Sequence, residues 1–221
     1  MTDNRQENSL VDTILFDLDG TLINTIDLIV ASFLHTLNVY FPEGGYERDD
    51  VVSFIGPPLA ETFGRLNPGK ELEMIDEYRH FNHANHDRLV TPYEGVAETL
   101  EQLEADGYKM AVVTSKRRDT ALKGLELMEM SRFFPVVISL DDVTKYKPDP
   151  QPLDLALEAL RVPREGALMV GDSEHDILSG QNAGVKTAAV AWSIKGREHL
   201  ASFDPDIMLD KMTDLLPYLR S

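Results

Sequence analysis

Asp17 and Asp19 stand two residues apart, directly after the apolar run Val11 to Phe16. Carboxylates that close repel each other unless a cation lies between them. Far along the chain, Asp172, Glu174 and Asp176 follow a second apolar run, Ala167 to Gly171. Between these groups lie Thr114-Ser115-Lys116 and Lys145-Tyr146-Lys147-Pro148-Asp149-Pro150. Asp17, Asp19 and Asp172 offer the hard oxygens that magnesium takes while it keeps waters and a phosphate in its shell. Phosphoryl transfer needs an in-line nucleophile, neutralised equatorial oxygens and a proton donor to the leaving group. A carboxylate can be that nucleophile through an aspartyl-phosphate. Asp19 can protonate the leaving oxygen and later activate water. Thr114 and the Ser115 N–H can hold phosphate oxygens, and Lys147 can offset the charge.

Each group also has a plainer reading. Asp-x-Asp-Gly opens calcium loops too, but the position where such a loop needs glutamate is Leu28. Thr114-Ser115 alone fits a helix cap. Lys147 alone fits a solvated loop. Asp172, Glu174 and Asp176 alone fit acids at a helix N-terminus. What favours chemistry is that every group follows the end of an expected strand.

Those strands come from the pattern of the chain. Val11 to Phe16 reads as a buried first strand. Ile26, Ile29, Val30, Phe33, Leu34 and Leu37 form one helical face, with Thr25 or Asn24 as N-cap. From about Phe41 to Val90, Gly-Gly, Gly-Pro-Pro and Asn-Pro-Gly punctuate short helical stretches. The longest, Glu71 to Arg88, places Leu72, Ile75, Tyr78 and Phe81 on one side. After Thr91-Pro92, strands expected at 109–114, 136–139, 167–171, 187–191 and 207–209 alternate with helices at 94–105, 118–128, 152–160 and 175–183. The fold class is α/β: a Rossmann-like parallel sheet core with a small helical cap inserted after the first strand motif. The expected division is 1–24 with 91–221 as core and 25–90 as cap. Ligands of such sheets sit at the carboxyl ends of the strands.

Composition narrows the partners. The 221 residues suffice for one sizeable core and a small insert. There is no cysteine, which removes disulfides, thiolate zinc sites and a cysteine nucleophile. The net charge of −17 disfavours nucleic acid and anionic membrane, and it obliges any phosphate site to carry its own cations. Met1 to Leu10 is polar and carries no apolar signal core, so the expected location is cytoplasmic.

Asp17-Leu18-Asp19-Gly20-Thr21-Leu22, Val113-Thr114-Ser115, Lys147-Pro148-Asp149-Pro150 and Val170-Gly171-Asp172-Ser173-Glu174-His175-Asp176 resemble the haloacid dehalogenase-like phosphatase superfamily. The resemblance covers nearly the whole chain. It implies Asp17 as nucleophile, Asp19 as acid and base, Thr114 as phosphate ligand and Lys147 as charge stabiliser. It implies Mg2+ held by Asp17, the Asp19 carbonyl and Asp172, with Asp176 in support. Stretches such as Phe54-Ile55-Gly56-Pro57, Phe81-Asn82-His83 and Trp192-Ser193-Ile194-Lys195-Gly196 resemble a narrower subgroup. These are inorganic pyrophosphatases of Gram-positive bacteria, linked to dephosphorylation of the serine-phosphorylated carrier protein HPr. The substrate this implies is pyrophosphate, with phosphoglycolate or another small phosphomonoester as the alternative. A pyrophosphate pocket calls for cations and donors rather than an apolar wall. Lys116, Arg118, Asn82, His83 and His86 are the candidates for choosing the substrate. For His80, His83 and His86 the plain alternative is a solvated helix face. Trp192 can line the site or pack. A non-catalytic protein reusing this fold would be expected to lose Asp17, Asp19 or Lys147, and all three are present.

Overall fold

The computed structural model describes residues 11–220; residues 1–10, read above as a polar start, and residue 221 lie outside the described residues. In chain order the elements are β1 (Thr13–Phe16), β2 (Ile23–Asn24), α1 (Ile26–Tyr40), α2 (Arg48–Val52), α3 (Leu59–Leu66), α4 (Glu71–Leu89) and β3 (Thr91–Pro92). There follow α5 (Val96–Ala105), β4 (Lys109–Val113), α6 (Arg118–Leu127), β5 (Val136–Ile138), α7 (Gln151–Leu160) and β6 (Ala167–Gly171). The chain continues through α8 (Glu174–Ala183), β7 (Lys186–Val190), α9 (Arg197–Ala201), β8 (Ile207–Leu209) and α10 (Leu215–Leu219).

Six strands form one parallel sheet in the order β5-β4-β1-β6-β7-β8. Alternation along the central strands feeds two apolar layers. Ile14, Phe16, Met110, Val112, Leu168 and Val170 join one core with α5, α6 and α10. Leu15, Ala111, Val113, Ala167 and Met169 join the other with α7. Both faces are covered, which is why these strands read as continuous apolar runs. The chain first winds outward from β1 to β4 and β5, then returns to β6 on the other side of β1. This reversal opens a crevice at the carboxyl ends of β1, β4 and β6.

β2 and β3 pair antiparallel, with Ile23 opposite Pro92 and Asn24 opposite Thr91. Between them, α1 to α4 build a separate apolar cluster. Its centre is Phe33, whose ring lies 4.9 Å from Tyr78, 5.5 Å from Phe63 and 5.7 Å from Phe54.

Three local expectations change. Leu72 is not on the buried side of α4; it is 73% exposed. The buried stripe runs instead through Met74, Ile75, Tyr78, Asn82 and His86. Thr25 begins α1 without a side-chain cap bond, because its hydroxyl donates to Asp19 Oδ1 at 2.6 Å. α5 starts at Val96 rather than Glu94, since Gly95 takes a left-handed φ of 78° at the N-cap.

Candidate active site

β1 stops at Phe16 because the next side chain, Asp17, belongs to the crevice rather than the core. The chain then folds back at once. Leu22 and Ile23 N–H both donate to the Leu18 carbonyl, and Gly20 N–H donates to Ile23. Gly20 has φ 82°, and a Cβ there would sit 2.2 Å from Asp172 Oδ2. Glycine is therefore required twice over, by backbone conformation and by the close approach of Asp172. Trp192 donates its indole N–H to the Gly20 carbonyl at 3.0 Å and lies against Tyr93, so it packs behind this turn. Gly20→Ala is expected to lower stability by roughly 1–2 kcal/mol for the left-handed alanine. It should lower turnover further by displacing Asp172; thermal melts and phosphate release on the same preparation check both.

Lys147 is the hub of the crevice. Its ammonium donates to Asp17 Oδ1 at 2.7 Å, Asp176 Oδ1 at 2.6 Å and the Val113 carbonyl at 3.0 Å. All three of its donors are used, and it is buried rather than a solvated loop lysine. Burial works against its charge, yet Asp17 and Asp176 hold its pKa above the usual lysine value. Asp176 spends its other oxygen on the Ser173 hydroxyl and N–H, which starts α8 with a capping box. The site also depends on Gly171, since a Cβ there would lie 2.2 Å from the Asp176 Cβ.

Asp17, Asp172 and Asp176 are all buried, and each offers one oxygen such that these atoms lie within 4.8 Å of one another. Burial pushes Asp17 up to about 7; Lys147 opposes this, and Asp176 and Asp19 reinforce it. Asp172 is raised well above its usual value, by burial first and then by Asp17 and Asp176. One ammonium cannot balance three clustered carboxylates. The donor set is hard oxygen with excess negative charge, which fits a divalent cation such as magnesium.

Asp19 lies apart from that trio. Its Oδ1 accepts from Thr25 at 2.6 Å and from Lys116 Nζ at 2.7 Å. Thr114, at the end of β4, is buried, and its Oγ1 accepts the Lys116 N–H at 3.1 Å. Above these groups opens a cavity of about 550 Å³. It brings together Asp17, Asp19, Thr114, Ser115, Lys147 and Asp172, with Asp176 and Lys116 beside them. α4 contributes Asn82 and His83 from the opposite wall.

Two proposed substrate-choosing residues do not reach the cavity. Arg118 donates instead to the Val137 carbonyl of β5 at 2.9 Å and pairs with Asp142 at 2.7 Å. His86 is fully buried, its Nδ1 2.9 Å from Asp87 Oδ1 and its Nε2 without a hydrogen bond among the described residues. It is not on a solvated face either; desolvation lowers its pKa. His80 and His83 are exposed and line the cavity. The wall from α1 to α4 is also more apolar than expected, with Ile29, Phe33, Phe54, Ile55 and Leu59 among its lining. Sequence reasoning missed Arg79, Lys195 and His175, which also line the cavity. Arg79 was findable, because it stands one helical turn before His83.

A sequence profile of the haloacid dehalogenase-like hydrolases matches residues 14–190. The chain belongs to the haloacid dehalogenase-like hydrolase family and is an enzyme of that hydrolytic class. Pyrophosphatase PpaX of Bacillus cereus strain B4264 is 56% identical over 211 residues, covering 96% of this chain and 97% of that protein. Pyrophosphatase PpaX of Anoxybacillus flavithermus is 56% identical over 209 residues, covering 95% and 97%. Among solved structures, a haloacid dehalogenase-like family hydrolase from Streptococcus pneumoniae has a TM-score of 0.84 at 24% identity, over 94% of this chain and 98% of that one. Among the described residues, no helix is long and apolar enough to cross a membrane.

Proposed function

We propose that this enzyme hydrolyses inorganic pyrophosphate to two phosphates by way of an aspartyl-phosphate on Asp17, with α1 to α4 acting as a cap over the crevice. The observation that carries the chemistry is Lys147, buried and bridging Asp17 and Asp176 at the floor of the cavity. The substrate rests on the similarity to the two PpaX pyrophosphatases. A link to HPr serine dephosphorylation, as a source of pyrophosphate, belongs to the same reading.

In this mechanism Lys147 holds Oδ1 of Asp17, and the second oxygen is free of described hydrogen bonds. That oxygen attacks phosphorus as the bond to the bridging oxygen breaks. Asp19, fixed by Thr25 and Lys116, gives the leaving phosphate its proton. It then takes a proton from the water that cleaves the acyl phosphate. The Thr114 hydroxyl and the Ser115 N–H can donate to the equatorial oxygens, where charge is greatest, and Lys147, its donors spent on protein groups, offsets that charge through space. Asp17, Asp172 and the Asp19 carbonyl would hold Mg2+, with Asp176, already committed to Lys147 and Ser173, steadying the set. When bound, the ion neutralises the clustered carboxylates and the phosphate oxygens.

One observation favours a second reading. The apolar stretch of cavity wall suits a carbon-bearing leaving group, as in phosphoglycolate or another small phosphomonoester. Phosphate release with Mg2+, from pyrophosphate and from phosphomonoesters at equal concentration, separates the two. Pyrophosphate is expected to lead by about a hundredfold in kcat/KM, roughly 2.7 kcal/mol of transition-state preference. A lead for an organic monoester keeps the core chemistry and overturns the substrate.

A further inference from the structure

The cations that reach the cavity differ in how far they are already committed. Lys147 uses all its donors on Asp17, Asp176 and Val113. Lys116 is paired with Asp19. Lys195 donates to the Val52 carbonyl at 3.2 Å and lies 3.9 Å from Glu174. Arg79 differs: it lines the cavity from α4, is exposed, and among the described residues has no hydrogen bond or ion pair. On the core side, Arg117 also lines the cavity. Its Nε lies 3.8 Å from Asp119 and 3.6 Å from Asp141, too far for hydrogen bonds. Burial pushes the Asp119 carboxyl up, but Thr120, Arg117 and Arg79 together hold it below its usual value. Two guanidinium groups thus line the cavity from different elements, Arg79 from α4 and Arg117 from the start of α6.

Charge balance says what they are for. Lys116, Lys147 and one divalent cation offset only the four carboxylates Asp17, Asp19, Asp172 and Asp176. Nothing in that set is left for a leaving group that is itself an anion. A guanidinium fork matches phosphate oxygens in both geometry and charge.

We infer that Arg79 and Arg117 together grip the leaving phosphate and so select substrates whose leaving group is anionic. This rests on the pyrophosphatase reading and names the residues that enforce it. An alcohol leaving group gives such a grip nothing to hold. His83, one turn after Arg79 on the same face, shares the wall.

The test measures kcat/KM with Mg2+ for pyrophosphate and for p-nitrophenyl phosphate in the wild type, Arg79→Gln, Arg79→Lys and Arg88→Gln. Arg79→Gln is expected to lower the pyrophosphate value by roughly 10- to 100-fold, as loss of a charge-assisted hydrogen bond does. The ratio of pyrophosphate to aryl phosphate should fall with it. Arg79→Lys, which keeps the charge but not the fork, should recover part of the ratio. Among the described residues Arg88 bonds only to Asn85, and it lies outside the cavity lining, so Arg88→Gln should leave the ratio alone. A ratio in Arg79→Gln within about twofold of wild type, or an equal fall for both substrates, overturns the grip. Wild-type preference for the aryl phosphate overturns the pyrophosphatase reading instead, and the variant's ratio still decides the grip.

Discussion

Asp17→Asn is expected to fold and to lose turnover by on the order of 10⁴-fold or more, the scale on which removal of a nucleophile is felt. An amide at that position cannot attack phosphorus, and it leaves the rest of the constellation in place. Lys147 keeps Asp176 at 2.6 Å and the Val113 carbonyl at 3.0 Å, so its charge is not stranded. The variant also removes a buried carboxyl whose pKa burial has pushed up to about 7. Its melting temperature in EDTA near pH 8 should therefore equal or exceed that of wild type. Rapid quenching should trap an acid-stable, base-labile phosphoenzyme in wild type and none in the variant. Appreciable phosphate release by Asp17→Asn, in protein shown by mass to be free of deamidation, would remove Asp17 from the nucleophile's place.

The core strands were legible because their physics is local. Ile14 to Phe16, Met110 to Val113 and Leu168 to Val170 are buried on both faces, so each reads as an apolar run with a polar residue where it ends. The polar residues at those ends are the ones the crevice collects. α4 was harder. Its buried stripe steps by four from Tyr78 to Asn82 to His86, so two of its inward positions are polar. Apolar spacing followed Leu72 and Phe81 instead, and Leu72 proved exposed. The phase of that helix decides that Arg79 and His83 face the cavity while His86 turns into the interior. The strands β2 and β3 span two residues each, and their pairing joins positions nearly seventy residues apart. No local pattern announces a contact of that kind. Arg118 went astray for a related reason. Its place after Thr114-Ser115-Lys116 suggested the site, but the first turn of α6 points it toward β5, where Asp142 receives it.

Removal of divalent metal should abolish turnover, and magnesium should restore it where calcium, with looser coordination, does poorly. The same carboxylates give this prediction a second readout without catalysis. In the metal-free protein Asp17 is raised from 3.8 to about 7, and Asp172 moves the same way. Between those two pH values the folded chain binds protons that the unfolded chain has released. Stability in EDTA must then fall as pH rises through that window and level off above it, as far as these groups act. Asp87, Asp106, Asp119 and Asp142 are shifted downward and act on the acid side of 3.8, outside the window. His86, shifted downward from 6.5, acts inside it with the opposite sign and offsets part of the slope, which the comparison with Asp172→Asn separates. Magnesium binds the deprotonated carboxylates, so its stabilising effect should be smaller near pH 5 than near pH 8. At a hundred times its dissociation constant it contributes about 2.7 kcal/mol, roughly 5–10 °C in Tm for a chain of this size. Melts at the two pH values, with EDTA or with Mg2+, check the sign and the size together. Asp172→Asn should flatten both the pH slope and the magnesium response. If it keeps the full magnesium shift, the ion binds elsewhere and the carboxylate cluster needs another explanation.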